Sequence, residues 1–265
     1  MKRRAFLASS LAASATASLL PSSARGEEAA EPHPSRRDYY ELRLYRVRQG
    51  PNVKLMADFF RDAAIPAWNR IGVGPVGVFT VVIGPENPTF YVLLTHPSAD
   101  SVLTAEDRLM ADPEFLRAGV RVINTPSSDP IYRRIESSVL RAFETAPHIE
   151  VPEKRPRIFE LRTYENHSKK ANLKKIEMFN TGEITIFRRH GLQPVFFGES
   201  LIGSGLPNVT YMLTFADMEE RDKNWAAFGA DPAWKKLSTT PGYTDAEIVF
   251  SITNRILRPA PYSQL

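Results

Sequence analysis

Between Asp38 and Val47 apolar and polar positions alternate. Tyr40, Leu42 and Leu44 share one face, and Glu41, Arg43 and Tyr45 share the other. A period of two predicts a strand with one apolar and one polar-aromatic face. After Gly50-Pro51 the spacing lengthens, and Val53, Met56, Phe59 and Phe60 recur at helical intervals. Pro66 falls inside that run, so the helix is expected to kink or restart near Ile65. Val76 to Ile83 reads as a β-branched strand, Gly84 to Pro88 as a turn, and Phe90 to Thr95 as the returning arm of a hairpin. Ser98 is placed to cap a second helix through Met110, and Asp112-Pro113 opens a further short one. Ile131 to Phe143 closes the unit as a strand, giving the order β-α-β-β-α-β.

The same unit returns 119 residues later with almost no drift in register. Glu41-Leu42-Arg43 and Tyr45 recur as Glu160-Leu161-Arg162 and Tyr164, and Phe60, Ile65, Arg70 and Gly72 as Phe179, Ile184, Arg189 and Gly191. Pro75-Val76 returns as Pro194-Val195, and Ala111-Asp112-Pro113 as Ala230-Asp231-Pro232. A constant offset means that each copy is a complete folding unit. The second copy is expected to place strands at 157–165, 193–202, 208–215 and 246–257, a helix at about 170–190, and helices opening at Asp217 and Asp231. In this ferredoxin-like unit both helices cover one sheet face and leave the other bare. The fold class expected is therefore α+β: two βαββαβ domains packed sheet-to-sheet as an intrachain α+β barrel, a pseudo-dimer within one chain.

The units are 38–144 and 157–260, joined by a proline-bearing linker at 145–156. Before them, residues 1–24 read as an export signal. Lys2-Arg3-Arg4 forms a basic start, an Ala-rich apolar stretch runs to Leu20, and Ser22-Ser23-Ala24 supplies small residues for cleavage. Paired arginines before Phe6-Leu7 resemble a twin-arginine signal, which implies a periplasmic or extracellular destination. The apolar run is too short for a stable membrane span. Residues 25–37 read as a disordered tether.

Charge and composition then narrow the function. The chain has 34 basic and 30 acidic side chains, and without residues 1–24 the balance becomes 31 against 30. That near-neutrality gives no footing for a nucleic-acid partner. With no cysteine, thiolate nucleophiles, disulfides and Cys-ligated metals are excluded. The five histidines (His33, His96, His148, His167 and His190) show no metal-binding spacing, so neither metal nor cofactor is expected.

Taken together, the Tyr-Glu-Leu-Arg-x-Tyr strand, the Arg-x-Gly before a Pro-Val strand, the Ile-Gly hairpin end and the Ala-Asp-Pro-x-aromatic helix start resemble NIPSNAP domains. The resemblance appears in both copies, over roughly 38–143 and 157–259. It implies a dimeric α+β barrel related to cofactor-free monooxygenases and EthD-like proteins, without implying an agreed activity or catalytic residues.

Two groups stand out as candidates. Glu41, Arg43 and Tyr45 with Glu160, Arg162 and Tyr164 are expected to line the barrel interior if the leucines face the helices. There they could orient a polar ligand or move a proton, or they satisfy one another as an internal ion-pair network. His190, after Arg188-Arg189 and before Gly191, is a catalytic-base candidate or the basic end of a Gly-capped helix. The leading reading is an exported protein that binds a small organic ligand between its sheets or a protein partner on its surface. The alternative is a cofactor-independent oxygenase or isomerase. Further oligomerisation is left open.

Overall fold

The computed structural model describes residues 36–84 and 87–265, so the expected signal and all but the end of the tether lie outside the described residues. In the first copy, strand β1 (Tyr39–Val47) leads into helix α1 (Pro51–Phe59), a π-helical segment (Phe60–Ala64) and α2 (Ile65–Arg70). The hairpin of β2 (Val76–Val81) and β3 (Thr89–His96) follows, then α3 (Ala99–Met110), α4 (Pro113–Ala118), α5 (Val120–Ile123) and β4 (Tyr132–Ala142). The second copy runs β5 (Ile158–Glu165), α6 (Lys169–Met178), a π segment (Phe179–Glu183), α7 (Ile184–Arg189), β6 (Gln193–Ile202) and β7 (Asn208–Phe215). It ends with α8 (Met218–Ala230), α9 (Pro232–Ser238), α10 (Asp245–Ile248) and β8 (Ser251–Pro259).

The helices begin where the sequence supplies acceptors. Ser98 Oγ takes the Ser101 N–H at 3.1 Å, and Ser168 Oγ takes that of Ala171 at 3.2 Å. Asp112 and Asp231 cap the Pro-initiated helices α4 and α9, accepting from Phe115 at 3.1 Å and Ala233 at 2.6 Å.

All eight strands join one closed barrel in the order β1-β3-β2-β8-β5-β7-β6-β4. Each copy contributes a four-stranded sheet, and two antiparallel seams close the barrel, β2 against β8 and β4 against β6. Closure leaves no bare sheet edge, which removes the usual route to edge-to-edge association. The linker seals one end of the barrel, with the Glu150 N–H donating to Val195 O at 2.8 Å and Ile149 packed on the interior residues.

Three features depart from the sequence reading. The first is which face points inward. Tyr40 and Leu42 of β1, with Phe159 and Leu161 of β5, join Phe79, Leu93, Phe196, Met212 and Leu257 in the cluster that packs the lower part of the barrel interior. Tyr45 and Tyr164 lie instead in the two clusters between sheet and helices. By strand alternation Glu41, Arg43, Glu160 and Arg162 share that outer, helix-covered face, the reverse of the expectation. A sheet closed on itself surrounds its interior on all sides, so the more uniformly apolar face goes there. The helices carry polar partners that the other face needs.

The second is the cause of the break in the long helix, which does restart at Ile65 as the sequence predicts. Its winding changes at Phe60–Ala64, and the same π segment recurs at Phe179–Glu183, where Thr185 stands in the position of Pro66. The proline is therefore accommodated after an irregularity that it does not cause. The third is the last strand. Residues 245–248 form a helical turn held by a Thr244–Glu247 capping box, and β8 starts only at Ser251.

Candidate functional site

Under the helices of the first copy, Arg43 donates twice to the Glu41 carboxylate, at 2.7 and 3.0 Å. Ser137 Oγ donates to the same carboxylate at 2.6 Å, and His96 Nε2 approaches it to 3.7 Å. Burial alone would push the Glu41 carboxyl up. His96, Arg43 and Ser137 outweigh that and hold it down at about 2. Desolvation likewise opposes the Arg43 charge, but Tyr45 and Glu41 keep its pKa raised.

The second copy keeps this strand triad and surrounds it differently. Glu160, fully buried, accepts from Arg162 Nη1 at 2.9 Å, from Arg221 at 2.7 and 3.0 Å, and from Trp225 Nε1 at 2.8 Å. Burial acts to raise the Glu160 carboxyl, and Arg221, Arg162 and Trp225 bring it below the usual range. Arg162 also donates to Tyr164 Oη at 3.0 Å and stacks over Trp225 at 4.5 Å. Tyr211 Oη donates to Tyr164 Oη at 2.9 Å, and burial raises the Tyr211 pKa well above its ordinary value. These six candidates form two separate networks on the outer sheet faces, each carboxylate facing at least one guanidinium.

His190 ends α7, with Nε2 2.6 Å from Asp231 Oδ2, and Arg189 donates to the same oxygen at 3.1 Å. In the first copy Arg70 holds Asp112 at 2.7 and 2.9 Å in the same way. The shared feature is a latch from a helix C-terminus to an N-capping aspartate. His190 is an addition to it in the second copy.

The principal cavity lies inside the barrel, in the half bounded by the two hairpins, and has a volume of about 620 Å³. That is large enough for a small organic molecule. One wall comes from the first copy and sets an apolar patch of Leu42, Leu44, Tyr91 and Leu140 beside the polar Ser137, Ser138, Arg46 and Glu136. The facing wall comes mainly from the second copy and is polar, with Thr163, Thr210, Asn208, Ser200, Thr253 and Arg255. Four of these form a ladder: Thr163 to Thr210 at 2.9 Å, Thr210 to Asn208 at 3.2 Å, and Ser200 to Asn208 at 2.6 Å. Arg46 and Glu136 pair across the rim at 2.9 and 3.2 Å. The Arg46 guanidinium beside Glu136 holds that carboxyl below its usual range.

None of the cavity residues was singled out from the sequence. Their signal is a local failure of the repeat on the inward face, where Leu44 and Tyr91 become Thr163 and Thr210.

Among solved structures, the chain is similar to a provisionally named monooxygenase from Lactobacillus acidophilus. That match has a TM-score of 0.57 at 12% identity, over 84% of this chain and 94% of the other. A provisionally named monooxygenase from Fusobacterium nucleatum gives a TM-score of 0.56 at 8% identity, over 85% and 93% of the two chains. An uncharacterised NIPSNAP-like domain protein from Burkholderia xenovorans matches at 23% identity with a TM-score of 0.37, over 40% of this chain and 88% of that one. At these identities the likenesses speak for fold alone. No curated protein matches the sequence. The family profile described as NIPSNAP matches twice, over residues 40–147 and 159–264, and the chain therefore belongs to the NIPSNAP family as a tandem of two such domains.

Proposed function

We propose that this protein binds a small organic molecule in the space between its two sheets. The observation that carries this reading is the cavity of about 620 Å³, in which an apolar patch of the first copy faces a polar wall of the second. A barrel interior filled by side chains would offer no such space. The two Glu-Arg-Tyr networks support the reading indirectly, because they lie under the helices with each carboxylate held by a guanidinium of its own strand. Export through the basic, apolar leader at residues 1–24 belongs to the same proposal, since it would place ligand capture outside the cytoplasm.

The test uses the neutral fluorophore N-phenyl-1-naphthylamine. It is expected to brighten with the wild-type protein and to lose that response in Leu44→Trp, which fills the cavity, and in Thr253→Phe, which narrows it from the opposite wall. Equal brightening by wild type and both folded variants would put the dye elsewhere and end this reading. Export is checked by the N-terminal sequence of protein recovered from cell fractions. An intact leader in a cytoplasmic product overturns it.

A further inference from the structure

The two halves of the barrel are related by the repeat, yet their inward faces differ in charge, and deepest at the level of Leu42 and Leu161. Leu42 pairs with Ser138 across β1 and β4, while its counterpart Leu161 pairs with Arg255 across β5 and β8. Where one copy puts a small hydroxyl, the other puts a guanidinium into the cavity. Leu161 is fully buried, so Arg255 rises directly above the packed floor of the barrel. Arg46, the other cavity arginine, is held by Glu136. Arg255 makes no side-chain hydrogen bond or ion pair among the described residues. A half-buried guanidinium without a protein partner is left to water or to a counter-charge from outside the chain, and the counter-charge is favoured where the surroundings are partly desolvated.

The nearest inward-facing carboxylate on the neighbouring strand does not supply it. Glu165 stands four residues beyond Leu161 on β5, roughly 14 Å along the strand at ~3.4 Å per residue. It sits at the rim, where its Oε1 lies 2.8 Å from a Cβ position built on Gly205. The hydroxyl and amide ladder beside Arg255 spends its strongest contacts internally, so it forms a rigid polar wall that needs no ligand to stay ordered. The cavity therefore combines a fixed polar wall, an apolar patch carrying Tyr91, a carboxylate at the rim in Glu165, and near the floor a cation, Arg255, that this carboxylate does not reach.

Building on the cavity reading above, we infer that the ligand is an amphipathic organic anion. Its carboxylate or comparable acidic group is held by Arg255, and its apolar body lies against Leu44 and Tyr91. Arg255 is the residue that selects charge. The apolar wall selects shape.

The test compares two probes of nearly the same outline, neutral N-phenyl-1-naphthylamine and the anionic 8-anilinonaphthalene-1-sulfonate, on the full chain. Wild type is expected to bind the anion more tightly. Arg255→Gln should weaken the anion roughly tenfold or more, the range of a lost charge-assisted contact, and change the neutral probe less than twofold. Arg255→Lys should keep part of the anion affinity, and that part should fall with added salt. Loss of both probes in equal measure in Arg255→Gln would make this a packing residue and overturn the inference while leaving the cavity reading intact. Should neither probe respond to Leu44→Trp, the cavity reading itself fails, and the inference with it. If Arg255→Gln does not fold, Arg255→Lys decides: undiminished anion affinity that is indifferent to salt overturns the proposal.

Discussion

Lys175 Nζ lies 3.1 Å from Glu183 Oε2, and the two side chains are only 1% and 2% exposed. The equivalent positions in the first copy are Met56 and Ala64, both fully buried. The chain thus holds an ion pair and its apolar replacement at matching sites of one fold. Burial raises the Glu183 carboxyl against the pull of Lys175. The ammonium also lies 5.0 and 4.9 Å from the Tyr164 and Phe179 ring centres.

From that comparison, Lys175→Met should destabilise the protein by about 3 kcal/mol, because it leaves a buried carboxylate unpaired. Glu183→Ala should cost a similar amount. The double variant, which recreates the first copy's pair, should come within about 1 kcal/mol of wild type. Urea unfolding of the four proteins measures the cycle. Additive losses in the double variant would mean that the two charges do not act as a pair.

The Glu41 network predicts a defined acid limb. Its neighbours hold the carboxyl down at about 2 in the folded protein, against an ordinary value of 4.5. A depressed folded pKa contributes stability that is fully present above the unfolded value. It is lost as pH falls from about 4.5 toward 2. At about 1.4 kcal/mol per unit, the linked loss is on the order of 3 kcal/mol. Glu41→Gln should be less stable at pH 7 and should lack this share of the decline. Equal slopes for both proteins between pH 4.5 and 2, by denaturant midpoints, would remove Glu41 from the acid response.

Much of the architecture was legible because the offset between copies is constant from Glu41/Glu160 to Asp112/Asp231. Strand and helix order followed from periodicity within each copy. Which face of β1 points inward was not legible. Alternation divides residues into two faces without saying which one a closing sheet will enclose. The deciding partners of Glu160 are Arg221 and Trp225, 61 and 65 residues away in sequence, and no local pattern ties them to it. Their spacing of four on one helix was the available sign of a polar ledge above the sheet. Residues 246–250 were misread as strand because the Thr244–Glu247 capping box outweighs the strand preference of Ile248 and Val249.

Arg162→Ala does not leave Glu160 without a partner, because Arg221 and Trp225 also donate to that carboxylate. The substitution should cost about 2 kcal/mol through the lost Glu160 and Tyr164 contacts and the Trp225 stack. Arg162→Ala with Arg221→Ala should cost more than the sum of the two, since only then is Glu160 stripped of guanidinium partners. Binding of N-phenyl-1-naphthylamine should persist in the single variant, because Arg162 stands outside the cavity. Chemical denaturation and fluorescence titration together check this. Loss of dye binding at unchanged stability would return Arg162 to the site.

The far end of the barrel yields the last prediction. Gly77 occupies the inward position that Phe196 holds in the second copy, opposite Leu93 as Phe196 is opposite Met212. The space a side chain would take at Gly77 is filled by Leu265 and Phe79, whose atoms lie 2.8 and 2.6 Å from the position of an added Cβ. Residues 260–264 hold Leu265 there: the Ala260 N–H donates to Val78 O at 2.8 Å, and the Val76 N–H donates to Gln264 Oε1 at 2.7 Å. These bonds extend the short β2–β8 seam. Gly77→Ala should therefore overpack the floor and cost about 1–3 kcal/mol. Leu265→Ala should cost about 2 kcal/mol by opening a void. In the Leu265→Ala background, Gly77→Ala should be less harmful than in wild type, because one of its two obstructions is gone. A coupling energy of zero in this cycle would show that Leu265 does not fill the space beside Gly77, and that the barrel floor is closed by other groups.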